Sequence, residues 1–221
     1  DRIHVGMDEA HSLGRGRFLD RFGYERQFDI FNRHLDKVQK MCETHGLKPM
    51  IWSDMYFRMG NEKGHYYDKA TTIPEDVKRQ IPQSVDLVYW DYYHADKDFY
   101  AEWIRRHREL VGRAPPVASC IWTHARFWYD HWQTATSVPP CLSACREEGV
   151  REVFFTMWGD GGGYCEYDSA LAGLAFAADL AYGAKGEPSS LVPLFAAVCD
   201  GDYASQLIPS GLHIRPDGEK P

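Results

Sequence analysis

Short apolar stretches alternate with longer amphipathic ones five times along the chain, and this alternation narrows the possible folds more than any single motif. RIHVGMDE is followed by a helical pattern over about residues 25–45, with Gly46 placed to cap it. KPMIWSDM leads, after a loop, to a short helix opening at Pro74, a residue well suited to a first helical turn. VDLVYWDYY precedes KDFYAEWIRRHRELVG. PPVASCIWTHA precedes a helix near residues 142–148, and REVFFTMWGD precedes the alanine-rich SALAGLAFAADLAYG. A strand followed by a helix, five times over, predicts parallel strands with the helices as crossovers.

Alternation along each strand separates its two faces. Ile3, Val5 and Met7 oppose His4, Gly6 and Asp8; Val88 and Trp90 oppose Leu87, Tyr89 and Asp91; Val153, Phe155 and Met157 oppose Phe154, Thr156, Trp158 and Asp160. Each strand then ends in a polar or aromatic group: Asp8, Trp52 with Asp54, Tyr89 with Asp91, Trp122 with His124, Trp158 with Asp160. Such groups at the C-terminal ends of successive parallel strands are how a (β/α)8 TIM barrel builds a site. A doubly wound sheet is the rival, but no glycine-rich phosphate loop follows a strand. The expectation is an α/β chain supplying about the last five βα units of a TIM barrel over residues 1–183. A linker and the start of a C-terminal helical segment are expected over residues 184–221.

Composition removes several classes of function. The 221 residues carry a formal net charge of −7 and no basic stripe, which argues against nucleic acid and anionic membranes as partners. No apolar run reaches spanning length. Six cysteines without CxxC or zinc-like spacing read as reduced, buried thiols and favour a cytoplasmic setting. WGDGGGY lacks the lysine of a phosphate loop, GRGRF reads as a solvated turn, and EWIRRHRE reads as an exposed helix face. A single tryptophan at a strand end is more often core than ligand contact, and interior histidines such as His4 and His124 are more often hydrogen-bonded than catalytic. The adjacent acids Asp8 and Glu9 are harder to explain as scaffold, because neighbouring carboxylates repel and are costly to bury.

HVGMDEAH, IWSD, YWDYY and MWGD, in that order at strand ends, resemble glycoside hydrolase family 20, and most closely its hexosaminidase D-like β-N-acetylhexosaminidases. The resemblance implies catalysis by Glu9, Asp8 and Tyr89. Glu9 would be the general acid/base. The substrate's own 2-acetamido oxygen would be the nucleophile, Asp8 would hold the acetamido N–H, and Tyr89 would hold its carbonyl. Trp52, Trp122 and Trp158 would wall the sugar pocket, with Asp91 and Asp160 on sugar hydroxyls. Asp160 departs from the glutamate of many relatives, and Glu166 lies close by in sequence. The implied partner is a glycan or glycoside ending in N-acetylhexosamine, with no cofactor and no metal.

Two alternatives remain at this level. His4, Asp8, Asp54, Asp91, His124 and Asp160 could hold a divalent ion in a barrel sugar isomerase or hydrolase. The chain could also be a glycan-binding piece without catalysis.

Overall fold

The computed structural model describes residues 1–212; the end of the expected C-terminal segment, 213–221, lies outside them. In chain order the elements are β1 (Arg2–His4), α1 (Arg17–Phe22), α2 (Gln27–Thr44), β2 (Lys48–Trp52), α3 (Asp54–Met59), α4 (Glu75–Gln80) and β3 (Asp86–Trp90). There follow α5 (Lys97–Val111), β4 (Val117–Cys120), α6 (His131–Glu147), β5 (Val153–Thr156), α7 (Ala170–Ala181), α8 (Pro188–Cys199) and α9 (Tyr203–Leu207). The five strands form one sheet in chain order, β1-β2-β3-β4-β5. β1 with β2 and β2 with β3 are parallel. The protein is therefore an α/β fold whose parallel sheet is flanked by helices, an arrangement compatible with part of a barrel.

The chain divides into two compact units, one of Asp1–Trp90 with Trp103–Val117, the other of Asp91–Glu102 with the chain from Ala118 on. In the first, α2 buries Phe28, Phe31, Leu35 and Cys42, a spacing that keeps one stripe inward. Its end is a Schellman motif: the Leu47 N–H donates to Cys42 O (2.9 Å) and the Gly46 N–H to Glu43 O (3.0 Å), with Gly46 at φ 67°. Only glycine takes that φ without strain, so the expected cap is in place. Ile51 and Leu87 are buried in the same unit, together with Met55, Tyr56, Val77, Trp103 and Ile104. The Tyr56 hydroxyl donates to Asn32 Oδ1 at 2.7 Å, which pairs these two buried polar groups within the core.

In the second unit, Ile121, Tyr129, Val138, Leu142, Phe176, Leu191, Phe195 and Tyr203 form one core cluster. α8 and α9 belong to this cluster through Leu191, Phe195 and Tyr203, so 188–207 packs as a structural element. α6 differs from its expected extent. The expected helix spans about residues 142–148, yet the helix begins at His131 and runs through Pro139 and Pro140, although proline pairs normally stop helices. Asp130 caps it by accepting the Gln133 N–H at 3.0 Å. Val138 and Leu142 hold the two sides of the proline pair against the core.

α7 crosses this core closely at Gly173, where an added Cβ would lie 2.6 Å from Ile121 Cγ2 and 2.8 Å from Tyr129 Cε2. Both neighbours are fully buried. Gly173→Ala is expected to destabilise the protein by about 1–3 kcal/mol through overpacking, despite alanine's better helix propensity. A thermal melt at or above the wild-type midpoint would show that α7 can withdraw freely.

Candidate functional site

The acid pair sits on a strained turn. β1 pairing continues past His4, since the Val5 N–H donates to Met50 O (2.9 Å) and the Trp52 N–H to Gly6 O (3.0 Å). The backbone then leaves extended geometry, with Gly6 at φ 74°, Met7 at φ 72° and Glu9 at φ 47°. Glycine takes such angles readily, but Met7 and Glu9 do so at a cost on the order of 1–3 kcal/mol each. Strain of this kind persists only where surrounding contacts enforce it.

Asp54, the first residue of α3 and fully buried, supplies the enforcing contact. Its Oδ2 accepts the Glu9 N–H at 3.0 Å, and its Oδ1 accepts the Trp90 indole N–H at 3.3 Å. Burial pushes its pKa up from 3.8 to about 6, the two N–H bonds working against the shift and the Asp8 charge adding to it. The Glu9 carboxylate has its own partner, for the Tyr66 hydroxyl donates to Oε1 at 3.0 Å, and Tyr66 in turn lies 2.6 Å from His11 Nε2. Burial, the hydrogen bond to Glu9 and the Glu9 charge all push the Tyr66 phenol above its ordinary range. The Arg58 guanidinium lies 5.4 Å from the centre of the Tyr66 ring, and Trp90 is 5.7 Å away centre to centre.

The register corrects one expected face. His4 aligns with Met50 and Met50 with Asp86, while Trp52 aligns with Val88. Residues two apart share a face, so Trp90 lies on the side of His4 and Trp52, and Tyr89 lies on the other. The packing agrees: Tyr89 is fully buried, its ring 5.0 Å from Tyr67 and 4.9 Å from His107 of α5. Trp90, adjacent in sequence, is the residue that meets Asp54 and Tyr66. Trp52 is 7% exposed and packs 4.2 Å from the His4 ring. His4 Nδ1 accepts the Gly6 N–H at 3.2 Å, so His4 helps to shape the turn. Its pKa is lowered by burial, with the Asp8 charge opposing.

The remaining expected site residues belong to the second unit. Asp91 is 2% exposed and its oxygens are occupied locally: Oδ1 accepts the Tyr93 N–H at 3.0 Å, and Oδ2 lies 2.9 Å from His94 Nδ1. The Trp122 and His124 rings lie tilted against each other with centres 4.2 Å apart, beside Tyr92. Both are at least nine-tenths buried, and Trp122 Nε1 and His124 Nδ1 have no hydrogen-bond partner among the described residues. His124 is held below its ordinary pKa chiefly by burial, with the Asp160 charge opposing and Arg126 adding. Asp160 is exposed, and its backbone carbonyl accepts the Ala125 N–H. Trp158 is half-buried, and its carbonyl accepts the Thr123 hydroxyl at 2.8 Å. Glu166 accepts the Asp168 N–H and so caps a short 3-10 turn.

Tyr66, which meets Glu9, and His11 and Trp90, which lie beside Tyr66, are not marked as site residues by the strand-end motifs. The sequence separates Trp90 from Tyr89 by face, but only the pairing of β3 with β2 shows that Trp90 lies on the side of His4 and Trp52. Tyr66 lies in a loop without periodicity, so no pattern marks it. Among the described residues, no group of three or more His, Cys, Asp or Glu is arranged to hold a metal ion, and no helix is long and apolar enough to cross a membrane. All six cysteines are unbridged. No protein-family model matches the chain, and no curated protein matches it.

A second titratable group shares the neighbourhood of Asp54. His107, fully buried, donates through Nδ1 to Trp103 O (2.6 Å) and accepts through Nε2 from the Ser53 hydroxyl (2.7 Å). Burial lowers its pKa from 6.5 to about 4. The two groups have opposite linkage to pH. The raised Asp54 favours the fold at low pH and loses that contribution as pH rises towards about 6. The depressed His107 favours the fold above 6.5 and loses that contribution as pH falls towards about 4. Between about pH 7 and about pH 4.5 each contributes a change of about 2 kcal/mol, of opposite sign. Relative to wild type, Asp54→Asn should therefore lose stability on acidification and His107→Gln should gain it. Denaturant titrations at the two pH values check this, and parallel slopes in all three proteins would remove both groups from the balance.

Proposed function

We propose that the protein is an exo-acting β-N-acetylhexosaminidase, a retaining glycoside hydrolase that uses the substrate's acetamido group as nucleophile, built on a (β/α)8 barrel to which this chain contributes. The observation that carries the reading is the strained acid turn, with two adjacent carboxyl residues at a strand end and the second pinned through its backbone to buried Asp54. Two side-by-side acids on a turn that costs stability suit a task in which each meets a different part of one ligand. The order of the four strand-end motifs and their resemblance to family 20 supply the chemical identity of that ligand.

In this reading the acetamido oxygen attacks the anomeric carbon as its bond to the leaving oxygen breaks. Glu9 gives its proton to that oxygen. A cyclic oxazolinium ion results, its positive charge steadied by Asp8, which accepts the acetamido N–H. Water then adds to the anomeric carbon, Glu9 takes back a proton, and the ring reopens. Two inversions return the β configuration. This is the substrate-assisted exception to the scheme of two enzyme carboxylates. Buried Tyr89 carries no step here, because it packs on the face away from Trp52. In the second unit, the Trp122 indole beside the His124 ring offers an apolar wall and polar nitrogens of the kind that recognise a sugar.

The test is turnover of an aryl 2-acetamido-2-deoxy-β-hexopyranoside by the full-length protein, with the anomeric product followed by proton NMR. Release of the β anomer, unaffected by a chelator, is expected. An α product, or a glycosyl adduct trapped on a carboxylate, would overturn the mechanism. Binding without turnover would leave a glycan-binding protein.

A further inference from the structure

We infer that Tyr66 and His11 are positioning residues that hold Glu9 Oε1 and thereby assign its transferable proton to Oε2. The kinetic consequence rests on the proposed role of Glu9; the hydrogen-bond chain itself does not.

The argument is one of counting hydrogens. A phenol has one O–H. The Tyr66 hydroxyl donates it to Glu9 Oε1 at 3.0 Å, so its 2.6 Å contact with His11 must be made by the imidazole, with Nε2–H donating to the phenol oxygen. In its neutral form His11 is thereby held in the tautomer that carries its hydrogen on Nε2. Oε2 has no hydrogen bond among the described residues, whereas Oε1 is occupied. When Glu9 is protonated, Oε1 acts as the carbonyl oxygen and Oε2 bears the hydrogen. When that hydrogen leaves, charge grows on the carboxylate and the bond from Tyr66 shortens and strengthens. The interaction is therefore worth more after proton transfer than before it, which is the condition for speeding a step rather than tightening binding.

The surroundings hold the phenol in place. Its ring lies against Trp90 and beneath the Arg58 guanidinium, and that guanidinium is itself fixed by donation to Gly64 O at 2.8 Å. The Glu9 backbone is fixed separately by Asp54. Side chain and main chain of the same acid are thus anchored by residues 45 and 57 positions away in sequence.

Two measurements on the full-length protein test this. The first needs no activity: nitrogen-15 NMR of the His11 imidazole, at a pH where it is neutral. The Nε2–H tautomer is expected in wild type, mixed tautomers are expected in Tyr66→Phe, and a perturbed Nε2 signal is expected in Glu9→Gln, two links away. A wild-type Nδ1–H tautomer would mean that the phenol hydrogen points to His11, and would overturn the chain. The second is kinetic. Tyr66→Phe should lower kcat about tenfold to a hundredfold for poor leaving groups with KM little changed, part of the 10²–10⁴ that a general acid supplies. His11→Gln, which keeps a donor for the phenol, should lose less than His11→Ala. A loss confined to KM, or equal across leaving groups, would overturn the positioning role. If wild type turns over no hexosaminide, the enzyme reading falls and the tautomer measurement still decides the chain.

Discussion

A β-glucoside carrying a 2-hydroxyl in place of the 2-acetamido group should be turned over more slowly by several orders of magnitude than the matching N-acetylglucosaminide. The nucleophile in the proposed mechanism arrives with the substrate. Fixing a reacting group within the same molecule can supply roughly 7 to 11 kcal/mol of a barrier through prepaid orientation. Removing it leaves Glu9 with a leaving group to protonate and nothing to displace it. It also leaves Asp8 facing a hydroxyl in place of an amide that is becoming positive. A stable thiazoline copy of the cyclic intermediate should inhibit competitively and much more tightly than the free sugar, because it carries the geometry that binding favours. Asp8→Ala should weaken that inhibitor and catalysis together. Steady-state kinetics with the two glycosides check the first expectation, and comparable kcat/KM values would show that the acetamido group takes no part.

Glu9→Gln should produce the second large loss, about 10²- to 10⁴-fold in kcat for substrates with poor leaving groups. Glutamine preserves shape and can still accept from Tyr66, but it has no acidic proton to give. Aryl glycosides with acidic phenols need little protonation and should suffer less at the glycosylation step. A plot of log kcat against leaving-group pKa should therefore be steeper for the variant than for wild type. Equal losses across the series would remove Glu9 from the acid role and turn attention to Asp54, whose pKa near 6 also suits proton transfer but whose oxygens face the Glu9 and Trp90 N–H groups.

Particular residues show what the sequence can and cannot convey. The five-fold alternation of strand and helix is carried by local periodicity, and the sheet follows the order it implies. The helical pattern over about residues 25–45 and its Gly46 cap are likewise local signals, and both appear as expected. Tyr89 shows a limit of alternation: the period fixes which residues share a face, but only pairing with β2 decides which face looks towards His4 and Trp52. Asp91 shows another, since an acid at a strand end is suited both to binding a sugar and to holding the turn that follows, and alternation does not announce its contacts with the Tyr93 N–H and His94. Tyr66 reaches Glu9 from a loop whose conformation depends on Asn61, Asp68 and Arg58 together, an arrangement no periodicity announces.

The proline pair in α6 bears on how the second unit assembles. Pro139 and Pro140 have no amide hydrogens to give the carbonyls of residues 135 and 136, so two successive rungs are missing at mid-helix. Each half is shorter than the roughly 12–15 residues that an isolated helix needs to persist in water. Neither half has reason to form ahead of its neighbours. Val138 and Leu142, on either side of the break, gain their burial only from Ile121 and the helices that complete the cluster. α6 is thus expected to take its helical shape from the surface on which it settles. Weakening that surface would chiefly speed the loss of α6 during unfolding and leave the earlier rate of collapse little altered.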